Sequence, residues 1–365
     1  MSKQPFASLT LKSLQAEIVS DGGKPFAARQ VFEGVYRRNV RAFDAISNIS
    51  RGLRSVLARR YDLRTLEVIR RADSPDGSFK LVLRLADGNV IECAYLAAGE
   101  RGTACISSQV GCAMGCIFCA SGQKGLVRDL EPFEMIEQVL LVRDRLIDLS
   151  AGREVPRGES RGSPAGAERL TNVTVMGIGE PLANLDNVLA ALQIVNAPLG
   201  LNIGARKISI STCGLVKGIR RLADEEVQYH LAISLHAPTD KLRRRLMPAA
   251  ARTPIAEILE AARYYTQRTG RKVVFEYVLI RDVNDSLDLA DQLARLLGGL
   301  PCMVNLIPVN AVEHCPDLQP PAANQTGRFF TALKRSGIEA VLRQRKGADV
   351  AAACGQLRIQ ALGRH

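Results

Sequence analysis

Apolar residues along this chain fall into three successive rhythms. From Leu9 to about Arg60 they recur at helical spacing, as in Val31 and Val35 and then Leu53, Val56 and Leu57, with Asp44 and Ser47 near the expected helix starts. Between Leu66 and Tyr95 the rhythm becomes alternating, in Lys80–Arg84 and Asn89–Cys93, and Asp87-Gly88 between them is a hairpin turn signal. Beyond Cys119, short apolar strands alternate with helical stretches: Asn172 to Met176, Lys207 to Ser211, His230 to Ser234, Val273 to Leu279 and Val304 to Pro308. Strand-helix repetition specifies a parallel sheet with crossover helices.

Several of these strands end in polar or glycine-containing sequence, as at Gly177-Ile-Gly-Glu-Pro, Ser211-Thr-Cys-Gly, Ser234-Leu-His and Val309-Asn310. In a parallel barrel, ligands bind at the strand ends of one face. Ser150 to Glu168, rich in glycine, serine, proline and arginine, interrupts the repeat without apolar periodicity and is expected to be an exposed insertion.

The chain has 365 residues, 47% hydrophobic and 24% charged, ample for one large α/β domain and a smaller appendage. No apolar run approaches the roughly 20 residues of a membrane helix, and Met-Ser-Lys-Gln-Pro lacks the apolar core of a signal peptide. A cytoplasmic protein is expected, and a monomer. The formal charge of +12 points to a polyanionic partner. Arg37, Arg38, Arg41, Arg51, Arg54, Arg59, Arg60, Arg64, Arg70 and Arg71 face only Asp44, Asp62 and Glu67 in their stretch, which favours phosphate contacts. Arg243, Arg244, Arg245, Arg343, Arg345 and Lys346 are candidates to extend that surface.

Nine cysteines argue for thiol or metal chemistry rather than a disulfide framework. Cys112-Ala-Met-Gly-Cys116-Ile-Phe-Cys119 gathers three thiols in one short segment, and thiolates suit zinc or iron–sulfur clusters. A closed zinc site needs a fourth ligand, which would have to come from Cys105 or Cys93. Three ligands to a four-iron cluster instead leave one iron open. Buried, unliganded cysteines are the remaining alternative.

The spacing resembles the signature of the radical S-adenosylmethionine (SAM) superfamily, in which SAM chelates the open iron and yields a 5′-deoxyadenosyl radical. Cys105-Ile-Ser-Ser-Gln-Val-Gly-Cys112, Met176-Gly-Ile-Gly-Glu-Pro-Leu182, Ser234-Leu-His-Ala-Pro, Val304-Asn-Leu-Ile-Pro and Ala353-Cys354-Gly-Gln-Leu357 resemble the RlmN/Cfr family of radical SAM RNA adenine methyltransferases. Lys24-Pro-Phe-Ala-Ala-Arg-Gln30 and Glu180-Pro181 favour its RlmN branch.

The resemblance implies an α/β fold, a partial (βα)6 TIM-like barrel of radical SAM type with a small N-terminal helical accessory domain and a short β-hairpin. The division expected is an RNA-binding domain over 1–65, a hairpin region over 66–97, the barrel over 98–346 with an insertion at 150–169, and a tail over 347–365. Implied roles follow residue by residue. Cys112, Cys116 and Cys119 hold a [4Fe-4S] cluster, and Gly179, Glu180, Ser211, Ser234, Leu235, His236 and Asn310 contact SAM. Cys354 becomes S-methylcysteine, Glu92 accepts the ring proton, and Cys105 resolves the RNA crosslink through a transient disulfide with Cys354. The expected reaction is methylation of adenine C2 in 23S rRNA, and in tRNA, using two SAM per turnover, with flavodoxin or ferredoxin as electron donor. C8 methylation, as in Cfr, is the rival within the family, and a zinc-stabilised RNA-binding protein the rival outside it. Cys93, Cys213, Cys302 and Cys315 are read as packing residues.

Overall fold

The computed structural model describes residues 3–123, 125–151, 169–310, 315–343 and 356. Most of the expected 150–169 insertion and Cys354 lie outside the described residues.

Among the described residues ten strands form one mixed sheet whose spatial order is the chain order. β1 (Glu67–Asp73), β2 (Phe79–Arg84), β3 (Val90–Ala98) and β4 (Arg101–Cys105) pair antiparallel. From β4 onward every neighbour is parallel, through β5 (Asn172–Val175), β6 (Ile208–Thr212), β7 (His230–Ser234), β8 (Val273–Leu279), β9 (Cys302–Pro308) and β10 (Ala340–Leu342). The sheet thus adds a three-residue edge strand, β10, to the six expected. The expected turn at Asp87-Gly88 is present, with Gly88 at φ +83° and the Asp87 carboxylate accepting from Asn89 N at 2.9 Å. It joins β2 and β3 in a meander longer than the expected hairpin.

Crossover helices cover one face of the parallel strands: α4 (Pro132–Ser150), α5 (Leu185–Asn196), α6 (Val216–Asp224), α7 (Asp240–Leu246), α8 (Ile255–Thr269), α9 (Leu287–Leu297) and α10 (Ala323–Arg335). Pleating explains which residues they bury. Val173, Ile210, Leu231, Ile233, Phe275, Tyr277, Val304 and Leu306 are buried in the core. Their neighbours Thr174, Ser209, Ala232, Val274 and Met303, with Thr103, line a cavity on the other face. One residue from each of β4 to β9 facing a single cavity means that the sheet curls around it.

The N-terminal helices α1 (Leu11–Ser20), α2 (Pro25–Phe32) and α3 (Arg51–Arg60) have local reasons to form. Thr10 closes a capping box on α1, Pro25 sits in the first turn of α2, and Ser50 caps α3 by accepting from Leu53 N at 3.2 Å. The α3 cap is therefore Ser50 rather than Asp44 or Ser47, because the chain makes a single 3-10 turn at Phe43–Ala45 first. Phe6 anchors the small core, its ring 5.6–6.1 Å from those of Phe43, Tyr36 and Tyr61.

Helix α4 docks this unit. Asp144 accepts from Asn39 Nδ2 at 2.7 Å, Arg41 Nε at 2.9 Å and Arg64 Nε at 2.8 Å. Glu137 accepts from Thr65 N at 2.5 Å, Thr65 Oγ1 at 2.9 Å and Leu66 N at 3.0 Å. Several arginines expected to face phosphate are therefore engaged within the chain: Arg41 and Arg64 here, Arg54 on the carbonyls of Asp44 and Ile49, and Arg60 on Asp21. Arg51 and Arg59 are exposed on α3. Among the described residues no helix is long and apolar enough to cross a membrane.

Candidate active site

The three motif cysteines lie on a loop that a short ribbon closes at its base, Gln109–Gly111 pairing antiparallel with Leu126–Asp129. Gly111 is required there: at φ +79°, a Cβ would stand 2.0 Å from the Gly125 carbonyl oxygen. Cys112 N donates to that oxygen at 3.0 Å, Cys119 N to Cys116 O at 3.1 Å, and Ile117 N to Leu246 O at 3.0 Å, which ties the loop to the end of α7. Burial pushes the Cys112 thiol up to about 12 and also raises Cys119. These thiols are held neutral unless a cation draws off their protons.

One pocket at the carboxyl ends of the parallel strands is lined by Cys112, Cys116 and Cys119 together with Gly179, Glu180, Ser211, Ser234, His236 and Asn310. Sequence positions spread over about two hundred residues thus converge. Leu235 does not line it: its side chain is in the core, and its N–H donates to the Glu276 carbonyl at 3.1 Å. Apolar walls come from Phe118, Met176, Met247, Val278, Ile307 and Val309. The mix of apolar wall and a few convergent polar groups is that of a cofactor site.

Gly179 and Glu180 owe their places to the Ser107-Ser108-Gln109 stretch after β4. Ile178 N donates to Ser107 Oγ at 2.9 Å, Ser108 N to Ile178 O at 2.9 Å, and Glu180 N to Gln109 Oε1 at 2.8 Å. Gln109 Nε2 in turn donates to Asp129 at 2.7 Å. Sequence reasoning quoted these three residues only as part of a motif; their task is to lace the cysteine ribbon to the Gly179 loop. Glu180 is buried, its oxygens accepting from Leu182 N at 3.1 Å and Cys213 N at 2.6 Å; burial raises its pKa while those donors lower it.

His236 sits at φ +60°, buried against the edge of Phe118, ring centroids 4.8 Å apart. Burial and then the nearby Arg243 cation push its pKa down to about 3. The ring is therefore neutral at pH 7. Its Nδ1 accepts from Val278 N at 3.0 Å, which assigns the remaining proton to Nε2.

Two residues depart from expectation. Cys213, read as packing, lines the pocket and packs against the small cluster that contains Cys116. Arg243, read as surface, is fully buried because its guanidinium turns inward to the carbonyls of Ala250, Thr253 and Cys213. Arg343 lines the pocket, while Arg345 and Lys346 lie outside the described residues. Cys93 and Cys302 are buried in the core, and Cys315 is half-buried.

Glu92 and Cys105 lie outside this pocket but on one face of adjoining strands. Cys105 is the register partner of Ala94, two residues from Glu92, so pleating points both side chains the same way. That face is the concave one, since Leu96 and Thr103 in the same alternation line the barrel cavity. Glu92 is fully buried, its Oε1 3.2 Å from Lys80 Nζ. Among the described residues every cysteine is a free thiol.

Among the described residues no three His, Cys, Asp or Glu side chains gather tightly enough to hold a single metal ion. Three soft thiols lining one pocket are a donor set that fits an iron–sulfur cluster. A curled parallel sheet with three such thiols at its carboxyl edge defines the radical SAM class of enzyme.

Comparison with known proteins agrees. Residues 164–293 match the family described as the Radical SAM superfamily, and residues 6–63 match the ribosomal RNA large subunit methyltransferase N-terminal domain. A probable dual-specificity RNA methyltransferase RlmN from Symbiobacterium thermophilum is 44% identical, over 100% of this chain and 94% of its own. Another from Geobacillus kaustophilus is 43% identical over 97% and 92%. The crystal structure of a radical SAM methyltransferase from Sphaerobacter thermophilus superposes with a TM-score of 0.88 at 42% identity, covering 97% of this chain and 99% of that one. The chain belongs to the RlmN family of radical SAM RNA methyltransferases.

Proposed function

We propose that this protein methylates C2 of an adenine in 23S rRNA and in tRNA, with Cys354 as the methyl carrier. The observation that carries the reading is the single pocket that sets Cys112, Cys116 and Cys119 opposite Gly179, Glu180, Ser211, Ser234, His236 and Asn310. The three thiols hold a [4Fe-4S] cluster as thiolates. The polar groups orient SAM, with the Nε2–H of His236 and the hydroxyl of Ser234 as donors, the Ser211 oxygen as an acceptor because its proton goes to the Val175 carbonyl at 3.0 Å, and Leu235 acting through its backbone. Bound there, cluster and SAM supply a radical able to remove a hydrogen atom from a methyl group, with electrons from a flavodoxin or ferredoxin.

Adenine C2 lies between two ring nitrogens and is too electron-poor to attack a methyl sulfonium directly, whereas a thiolate does so readily. Cys354 therefore takes the methyl group by displacement, and its S-methyl carbon, after hydrogen abstraction, bonds to C2. The adduct gives up its one unpaired electron to the electron-transfer chain as Glu92 takes the ring proton, and a proton returns to the methyl carbon when it leaves sulfur. Cys105 then attacks the Cys354 sulfur and frees methyladenine, leaving a disulfide that an external dithiol reduces with two electrons. The shared face of Glu92 and Cys105 supports their working on one base.

Mass spectrometry of nucleosides from RNA treated with the reconstituted enzyme tests this. The expected product is 2-methyladenosine. 8-Methyladenosine would transfer the assignment to the Cfr-type reaction, and zinc without iron or sulfide after anaerobic purification would overturn it altogether. Cys354→Ala is expected to retain iron and SAM cleavage but to transfer no methyl group.

A further inference from the structure

Among the described residues Arg243 is the largest fully buried side chain. Its guanidinium donates to three backbone carbonyls, of Ala250 at 3.1 Å, Thr253 at 3.3 Å and Cys213 at 2.5 Å, and its Nε meets no acceptor among the described residues. Among the described residues no carboxylate bonds it: Asp240, on its own helix, accepts from Ile255 N at 2.9 Å instead. A guanidinium does not give up its proton in a protein, so this is a permanent buried cation. An isolated buried charge costs several kcal/mol. Carbonyl dipoles and the charge of Asp240, acting through space, offset part of that, and a further negative group nearby would offset more.

The turn after β6 shows where. Arg243 holds the carbonyl of Cys213, and Glu180 Oε2 holds its N–H at 2.6 Å. Fixed at both ends of one residue, the Cys213 side chain packs against the small cluster that contains Cys116 and lines the same pocket. Arg243 acts electrostatically on both cysteines. Gly214 follows at φ +98°, where a Cβ would stand 2.6 Å from Ile258 Cδ1 and 3.3 Å from Arg243 Nη2.

We propose that Arg243 and Cys213 form one unit that tunes the iron–sulfur centre, the guanidinium as its buried counter-cation and the thiol as a hydrogen-bond donor to the Cys116 ligand. The inference rests on the reading that Cys112, Cys116 and Cys119 hold the cluster. A reduced cluster carries one more negative charge than an oxidised one, so a fixed cation and an S–H donor both favour reduction. Both are positioning residues, and neither needs to touch the RNA.

The test is a potentiometric titration of the reconstituted full-length protein, followed by electron paramagnetic resonance of the reduced cluster, with iron and sulfide measured in parallel. In Arg243→Gln the ratio of reduced to oxidised cluster at a fixed potential is expected to fall about tenfold, about 59 mV for a one-electron couple. Arg243→Lys, which keeps the charge, should recover most of it. Cys213→Ala makes a small change with little risk to folding and should lower the ratio severalfold, while Cys213→Ser keeps a donor and stays near the wild-type value. Wild-type ratios in Cys213→Ala and Arg243→Gln at full iron content would overturn the proposal and leave the cluster reading intact. If Arg243→Gln does not hold iron, the Cys213 pair decides alone. Wild-type protein that binds no iron overturns the cluster reading itself.

Discussion

At the scale of residues, the site depends on atoms that have no spare room. Gly179, at φ +115°, would place a Cβ 2.7 Å from Gln109 Cβ and 2.8 Å from Ser108 Oγ. Gly179→Ala should therefore displace the loop that bears Glu180, at a cost of about 2 kcal/mol, and weaken SAM binding at least tenfold in equilibrium dialysis. Iron content should be unchanged, because the cysteine ribbon has its own closure. His236 gives a second, pH-linked expectation. Its folded pKa of about 3 lies below the ordinary 6.5, so the unfolded chain gains a proton first as the solution is acidified. Stability is fully present above about pH 6.5 and is lost as pH falls, by about 2 kcal/mol at pH 5. Urea unfolding at pH 7 and pH 5 should show this loss in the wild type and reduce it in His236→Gln by that amount; equal losses in both would refute the assignment.

At the scale of elements, helix α4 holds the N-terminal unit through one carboxylate that serves three donors. Asp144→Ala removes the acceptor of Asn39, Arg41 and Arg64 together and leaves two guanidinium groups without it. A loss of about 3 kcal/mol is expected, read as a lower denaturation midpoint, and Asp144→Asn should recover only part of it. Element by element, the sequence was legible where periodicity was strong. Five strands were expected within two residues of where they lie, because their alternate residues are buried under helices. Strand β4 was missed: Arg101-Gly-Thr-Ala-Cys has no apolar rhythm, and its pairing with β3 and β5 makes it a strand. The inward turn of Arg243 was equally hidden, because Arg243-Arg244-Arg245 reads as one basic run, and only the carbonyls of Cys213, Ala250 and Thr253 distinguish its first member. Cys213 carried a signal in hindsight, since Ser211 and Cys213 flank the end of the same strand.

At the scale of the whole molecule, +12 of net charge is less available to RNA than a count suggests. Arg41, Arg54, Arg60 and Arg64 have partners within the chain, so Arg51 and Arg59 on the outer face of α3 are the stronger candidates for phosphate contact. Arg51→Ala with Arg59→Ala should reduce the slope of log affinity against log salt by about 2, measured by RNA filter binding over a salt series, with thermal stability unchanged.

The ten-stranded sheet has no seam between the antiparallel strands and the barrel. A chain cut at residue 98 to isolate the catalytic part would uncover the whole length of β4 as a bare edge, rich in unmet N–H and C=O groups. It would also discard Glu92 and the strand that faces Cys105. Such a fragment should associate with itself in light scattering rather than behave as a smaller enzyme. The antiparallel strands are thus no detachable appendage: they complete the wall on which Glu92 and Cys105 stand.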